Sequence, residues 1–417
     1  MAEKADSELV RRQNRRVVLG ALRQHGASAR VELGRLTGLS PASITTICAQ
    51  LIQEGVIREE SLPLVLPPSG RRGRPIVRLS LNPDAALVMA VKISIDDVMI
   101  VLTDFQGETI ARNEVRLPTY DAGRDAFGLA LADAIADFIA WQKVNPRRLA
   151  RIAIAIQGLA DSRRGTIVWS PAFKAGDIPV AEPVETRFGV PCFVANDANM
   201  IAEGLVASDR ERYGGVTAAI FTGYGVGMGV IIGGEVFHGA SGAAAEFGHM
   251  NHIPDGALCR CGKRGCIEAY VADYGILRHY LGETEREAPR SAVPESTMIG
   301  LHQKAKAGDT RARAAFELAG TALGYGIGRV ISILNPDRIV LAGPGLQTSE
   351  LMERAMREAL EKSVVEVLRR DVAIEQVRFS DDMIVRGTID ALLRIIDRDV
   401  FAVAAPPAPL PAHGAAT

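Results

Sequence analysis

The chain has 417 residues, 48 Lys+Arg against 49 Asp+Glu for a net charge of −1, and 47% apolar residues. That is the composition of a globular protein of two or three domains, and no run approaches the roughly 18 apolar residues of a membrane span. Five cysteines, an odd number, and an opening MAEKADSELV without an apolar signal segment argue against a secreted disulfide framework. The expected location is the cytoplasm, with no membrane partner.

The charge is unevenly spread. Residues 1–80 hold 13 Lys+Arg against 7 Asp+Glu, so a small basic head precedes an acidic body. This division points to a head that touches nucleic acid. Within it, RRQNRRVVLGALRQHG reads as a helix ended by Gly26, and SARVELGRLTGLS as a short second helix broken at Gly38. SPASITTICAQLIQEG begins a third, with Ser40 as N-cap, Pro41 at the first helical position and Gly55 at its end. Ile44, Ile47, Cys48, Leu51 and Ile52 share one face of that helix. The other face offers Ser43, Thr45 and Thr46, small hydroxyl side chains able to approach base edges and phosphates in a major groove. Helix, helix, tight turn, helix is the helix-turn-helix pattern. Strand-like runs at Val56–Arg58 and Ile76–Leu81 then flank a Pro/Gly-rich loop, as in a β-wing. Its tip carries Arg71, Arg72 and Arg74, which can enter a narrow A·T-rich minor groove. The head is expected over 10–82.

The body follows, with a first lobe expected at 85–200, a second at 201–400, and a Pro/Ala-rich disordered tail at 401–417. ALVMAVKISIDDVMIVLTDFQGETIARNEVRL reads as three strands joined by turns. A helix is expected from Ala122 to Gln142, then ARIAIAIQGLAD as a buried strand ending in a glycine loop. PCFVANDANMIAEGLV runs strand, Asn-Asp, helix; VTAAIFTGYGVGMGVIIGGEVFHG is strand, glycine loop, strand; RIVLAGPG is a further buried strand. Two halves of β-β-β-α-β-α order predict a duplicated α/β fold of two lobes, the actin-like, ribonuclease H-like architecture of sugar kinases, with a ligand cleft between the lobes.

CRCGKRGC crowds three of the five cysteines into eight positions, Cys259 to Cys266. The spacing permits a metal but leaves zinc one ligand short of four. Cys48 and Cys192 are expected in the core.

The chain resembles the ROK family of repressors, open reading frames and sugar kinases. The resemblance rests on NDAN at Asn196–Asn199, AAAEFGH at Ala243–His249, CRCGKRGCIE at Cys259–Glu268 and TGYGVGMG at Thr222–Gly229. It spans residues 85–395, and the fused head resembles the family's repressor branch. The resemblance implies His249 as the fourth ligand beside Cys259, Cys261 and Cys266, closing a structural zinc site. It also implies that Asn196, Asp197, Glu246, His249 and Glu268 contact sugar hydroxyls, with Gly158 letting backbone approach the ring. Carboxylates and an Asn amide suit vicinal hydroxyls. Trp169 and Phe173 either line that site or belong to the core.

In the family's kinases the residue matching Asp197 is the general base, and an Asp-x-Gly-Gly-Thr turn cradles ATP phosphate. VKISIDDV at Val91–Val98 occupies that place without a glycine. The expected protein is therefore a non-enzymatic, sugar-responsive transcriptional repressor, binding an operator as a homodimer or homotetramer. Two other classes remain open: an active sugar kinase with a DNA-binding head, told apart by ATP-dependent phosphorylation of a hexose, and a repressor governed by a protein partner, told apart by failure of every sugar to bind.

Overall fold

A computed structural model describes residues 2–61, 77–285, 291–348, 350–380 and 382–401. The head consists of α1 (Ala2–His25), β1 (Ser28–Ala29), α2 (Arg30–Thr37), α3 (Pro41–Gln53), β2 (Ile57–Ser61) and β3 (Val77–Leu81). The three strands pair antiparallel in the order β1-β3-β2, which makes the head a winged helix. Local chemistry sets its breaks. Gly26, Gly38 and Gly55 take φ of 71°, 70° and 73°, and the Ser43 amide donates to the Ser40 hydroxyl at 3.2 Å to cap α3. Helix α1 begins well before the expected start near residue 10. Cys48 is fully buried, as expected, and burial pushes its thiol up to about 11.

The first lobe carries β4 (Leu87–Ile93), β5 (Asp97–Asp104), β6 (Thr109–Arg116), α4 (Arg124–Trp141) and β7 (Leu149–Ile156). A small sheet of β8 (Leu159–Asp161), β9 (Thr166–Trp169) and β10 (Ile178–Pro179) follows, then α5 (Ala181–Phe188), β11 (Cys192–Asn196) and α6 (Asp197–Ser208). The second lobe carries β12 (Val216–Thr222), β13 (Val226–Ile232), β14 (Glu235–Val236), α7 (Glu268–Val271), α8 (Asp273–Leu281), α9 (Glu295–Lys306) and α10 (Thr310–Leu334). It continues with β15 (Arg338–Ala342), α11 (Glu350–Ser363), α12 (Glu366–Arg370) and β16 (Ala373–Gln376), and α13 (Asp382–Asp399) ends the described chain.

Among the described residues the lobes hold two five-stranded sheets, ordered β6-β5-β4-β7-β11 and β14-β13-β12-β15-β16. Each is an antiparallel three-strand meander with two parallel strands added beside its first strand. The duplicated two-lobed fold expected from strand order is therefore present. Strand β7 reads LARIAIAI because both its faces are covered: α4 packs Phe127, Leu131, Ile135 and Phe138 on one side, and α13 covers the other with Val385, Ile389, Leu392 and Ile396.

That last contact corrects two expectations. Helix α13 lies within the 201–400 span assigned to the second lobe, but it packs on β4 and β7 of the first-lobe sheet, on the face that α6 also touches. Phe401, assigned to the disordered tail, is 9% exposed and meets Phe105 edge-on at 4.9 Å. The rest of that tail, 402–417, lies outside the described residues. No helix among the described residues is long and apolar enough to cross a membrane.

Candidate functional site

The cleft between the lobes is lined by Gln157, Gly158, Trp169, Asn196, Asp197, Glu246, His249 and Glu268, among others. It lies at the carboxyl ends of β7 and β11, where open α/β sheets place ligands. Asn196 ends β11 and caps α6: its Oδ1 accepts from the Ala198 amide at 2.8 Å, while its Nδ2 donates to the Gly158 carbonyl at 2.7 Å. The amide is thereby fixed in one orientation. Gly158 has φ of 119°, and a Cβ there would sit 2.4 Å from the Trp169 carbonyl. Its glycine is thus required by the neighbouring backbone, a reason different from the ring approach the sequence implied.

Asp197 opens α6. Burial pushes its carboxyl up to about 7, opposed by the bond from the Ala198 amide and by the charge of Lys92. Glu246 is likewise raised, first by burial. Glu268 is 5% exposed, and its oxygens accept from the Val226 amide at 3.2 Å and the Tyr274 hydroxyl at 3.1 Å. It lines the cleft, yet much of its bonding capacity ties β13 to α8. Trp169 meets His249 edge-on at 5.5 Å on the cleft wall. Phe173 instead packs into the core against Phe127 at 4.7 Å, which settles the alternative left open for that pair.

Asp197's raised value makes a pH prediction. The folded value lies above the unfolded one near 3.9, so the native state holds the extra proton between them. Stability contributed at this position falls as pH rises from about 4 to about 7, and D197N removes that slope in chemical denaturation.

His249, Cys259, Cys261 and Cys266 form a metal-competent cluster whose ligand atoms lie within 4.8 Å of one another. The knuckle is closed by backbone bonds: the Cys259 amide donates to the Lys263 carbonyl at 2.8 Å across a tight turn, and the Ile267 amide to the Met250 carbonyl at 3.0 Å across its base. Cys259 Sγ is 3.7 Å from His249 Nδ1, and Cys261 Sγ is 3.8 Å from Cys266 Sγ. Hydrogen bonds among the three sulfurs hold the Cys261 thiol below its ordinary range and push the Cys259 thiol above it. The other His249 nitrogen, Nε2, lies 4.0 Å from Glu246. Cys192, expected in the core, is 8% exposed there.

The turn at Ser94–Asp96 is closed on itself. The Ser94 amide donates to the Asp97 carbonyl at 2.8 Å and the Asp96 amide to Thr119 Oγ1 at 3.1 Å. The two later glycine loops pack on each other, since a Cβ at Gly223 would sit 2.6 Å from the Pro344 ring. Arg260 lies over the Tyr224 and Tyr274 rings at 4.1 and 4.4 Å and donates to the Tyr224 carbonyl.

On α3, Thr45 and Thr46 are exposed and Ser43 is half-buried. The threonine hydroxyls donate to the Pro41 and Ala42 carbonyls at 2.8 and 3.0 Å, leaving lone pairs and methyls outward. Arg71, Arg72 and Arg74 lie outside the described residues. Two residues that bear on the site were not expected from the sequence, one lining the cleft and one acting on Asp197 through its charge. Gln157 stands beside Gly158 in IAIQG, and Lys92 lies within VKISIDDV, a run whose missing glycine is its stronger signal.

Residues 88–394 match the model of the ROK family. The chain is similar, at 28% identity over 377 residues, to a "DNA-binding transcriptional dual regulator NagC" of Escherichia coli, covering 89% of this chain and 90% of that one. Its fold is similar to that of a ROK family transcriptional regulator described as a homolog of the E. coli MLC protein, with a TM-score of 0.76, 24% identity, and coverage of 94% and 99% of the two chains. A ROK hexokinase from Thermus thermophilus is similar over 75% of this chain and 99% of its own, at a TM-score of 0.59 and 25% identity.

Proposed function

The chain belongs to the ROK family, and on that premise we propose that it is a sugar-responsive, DNA-binding transcriptional repressor of the cytoplasm. The observation that carries the reading is the joining of a winged helix to a two-lobed cleft that holds an Asn-Asp pair and two glutamates and meets a His/Cys cluster at His249. In this reading Asn196, Asp197, Glu246, His249 and Glu268 bind sugar hydroxyls, and Gly158 orients Asn196. Trp169 supplies an apolar wall for the ring.

The protein binds its sugar without phosphorylating it. Phosphoryl transfer needs free backbone donors around the phosphates, and two amides of the Ser94–Asp96 turn are already committed to Asp97 and Thr119. Asp197, at the place of the kinase base, serves here as a hydroxyl acceptor.

Zinc is the metal that fits the cluster. Zn–S bonds of about 2.3 Å set tetrahedral sulfur–sulfur edges of about 3.8 Å, the Cys261–Cys266 separation found. Three thiols and one imidazole complete a structural set with no open position. The zinc supplies cross-linking rather than chemistry. His249 and the cysteines would hold it, and Glu246 would face the outer nitrogen of His249.

Sugar in the cleft favours one arrangement of the lobes and operator DNA another, so each weakens the other's binding by the same factor. A single winged helix covers too little DNA for a specific site, which supports a homodimer or homotetramer on an inverted repeat. The test is fluorescence anisotropy on the DNA upstream of the coding sequence, titrated with sugars, amino sugars and sugar phosphates. Release by one of them is expected, whereas DNA binding indifferent to all of them would favour control by a protein partner. In the same assay R72A/R74A weakens operator binding and reduces the slope of log affinity against log salt by about 2. Sugar affinity stays unchanged. An unaltered salt slope would remove the wing from the DNA interface.

A further inference from the structure

Helix α6 starts in the cleft at Asp197, and less than two turns further on its Glu203 lies outside the cleft lining. Glu203 is 5% exposed, pairs with Arg394 of α13 and lies 3.6 Å from His238. The two helices cross in near backbone contact, because Gly204 and Gly387 face each other without side chains. Three residues beyond Arg394, on the same side of α13, Asp397 accepts two hydrogen bonds from Arg23 of α1, from Nε at 2.8 Å and Nη2 at 2.9 Å. The third arm of Arg23 donates to the Phe105 carbonyl at 2.9 Å.

Just past α13 the Phe401 carbonyl accepts from Nε of Arg15 at 2.9 Å. Arg15 is fully buried, and its two remaining nitrogens both bond the carboxylate of Glu54, which follows α3 directly. A cavity of about 1570 Å³ lies among α1, α6 and α13, bordered by Arg16, Val17 and Gly20 of α1. A shift of α13 against α1 therefore meets open space along part of its length rather than a filled core.

We propose that α13 is the element that carries cleft occupancy to the DNA-binding head. Glu203–Arg394 is its input contact, and Arg23–Asp397 together with the Arg15–Glu54 fork is its output. The inference rests on the repressor reading above, because it names how the sugar site and the DNA site are coupled. Movement of α6 drags Arg394, and through the same turn of α13 it moves Asp397. Because α1 is gripped by Asp397 and by the end of α13, the α1–α3 unit follows as a body. Multiply bonded guanidinium groups suit this task, since their planar fork fixes direction as well as distance.

The experiment uses the full chain carrying E203Q or D397N, neither of which touches the cleft or the DNA face. Operator anisotropy is measured with and without xylose, glucose, N-acetylglucosamine and the 6-phosphates of the last two. Coupling in such systems is typically about 5–150-fold. The wild type should show a release factor in that range with one of these compounds. Both variants should bind that compound within about twofold of wild type by calorimetry, yet release DNA by less than about half the wild-type factor. Variants with the wild-type release factor would overturn the proposal.

If none of the five compounds releases the wild type, the sugar reading has failed and hydrogen exchange decides. Faster exchange across 41–53 in DNA-free E203Q supports the relay, and unchanged exchange refutes it. Should D397N lose DNA binding altogether, the reversed pair R23D/D397R decides. Restored binding with restored release supports the proposal, and restored binding without release overturns it.

Discussion

Replacing Cys259 by serine is expected to strip the metal and abolish sugar binding. Cys259 is 2% exposed, 3.7 Å from His249 Nδ1 and 3.9 Å from Glu268 Oε1. It therefore stands between the ligand set and a carboxylate of the cleft. The knuckle from His249 to Glu268 is held by turns and isolated bridges, Asn251 to Cys266 and Leu258 to Arg264, with no sheet of its own. Binding free energy in such sites is folding free energy, on the order of 10 kcal/mol for structural zinc. Losing one thiolate should release about one zinc per chain by elemental analysis and lower the thermal midpoint. Sugar affinity should fall more than a hundredfold, because Glu246, His249 and Glu268 lose their relative positions. A folded, metal-free C259S chain that still answers to sugar would refute the structural role.

The second large effect is expected at Gly387. A Cβ there would fall 1.7 Å from the Met200 carbonyl oxygen of α6. That atom is main chain and cannot rotate away, so α6 or α13 must be displaced bodily. Overpacking of this kind costs about 1–3 kcal/mol, and here α6 carries Asp197 at its first turn, so the displacement reaches the cleft. G387A should lower the unfolding free energy measured in urea by that amount and weaken sugar binding as well. Gly300, inside α9, is the control, because a Cβ there would meet nothing within 4 Å. G300A should stabilise the chain by about 0.5–1 kcal/mol, since alanine is the better helix former. Equal effects at the two sites would show that the α6–α13 crossing can relax.

Much of this protein was legible in its sequence because the signals are local. A serine N-cap with proline after it, glycines at positive φ and one apolar helical face place α2 and α3 within a residue or two. Cysteine spacing marked three of the cluster residues, and the family resemblance added His249; the fold holds all four together. Asn196, Asp197, Glu246 and Glu268 were named from motifs, and all line one cleft. Motifs concentrate in the loops that line this cleft, where chemistry constrains residue type more tightly than packing does.

Tertiary structure alone decided the rest. Nothing in DMIVRGTIDALLRIIDRD says that α13 returns to the first lobe, because an amphipathic helix records only that one face is buried, not against what. Phe173 and Trp169 were equal candidates by residue type, and only the path of the chain sends one to the core and the other to the cleft wall. Lys92 reads as an ordinary strand residue until β4, β7 and β11 lie side by side, putting it in register with Ala155 and Ala195, two positions before Asp197. The pairings Arg23–Asp397 and Arg15–Glu54 join residues 374 and 39 positions apart. Short-range chemistry writes itself into adjacent residues. Long-range contact leaves no mark on its neighbours, and becomes visible only when the chain has folded.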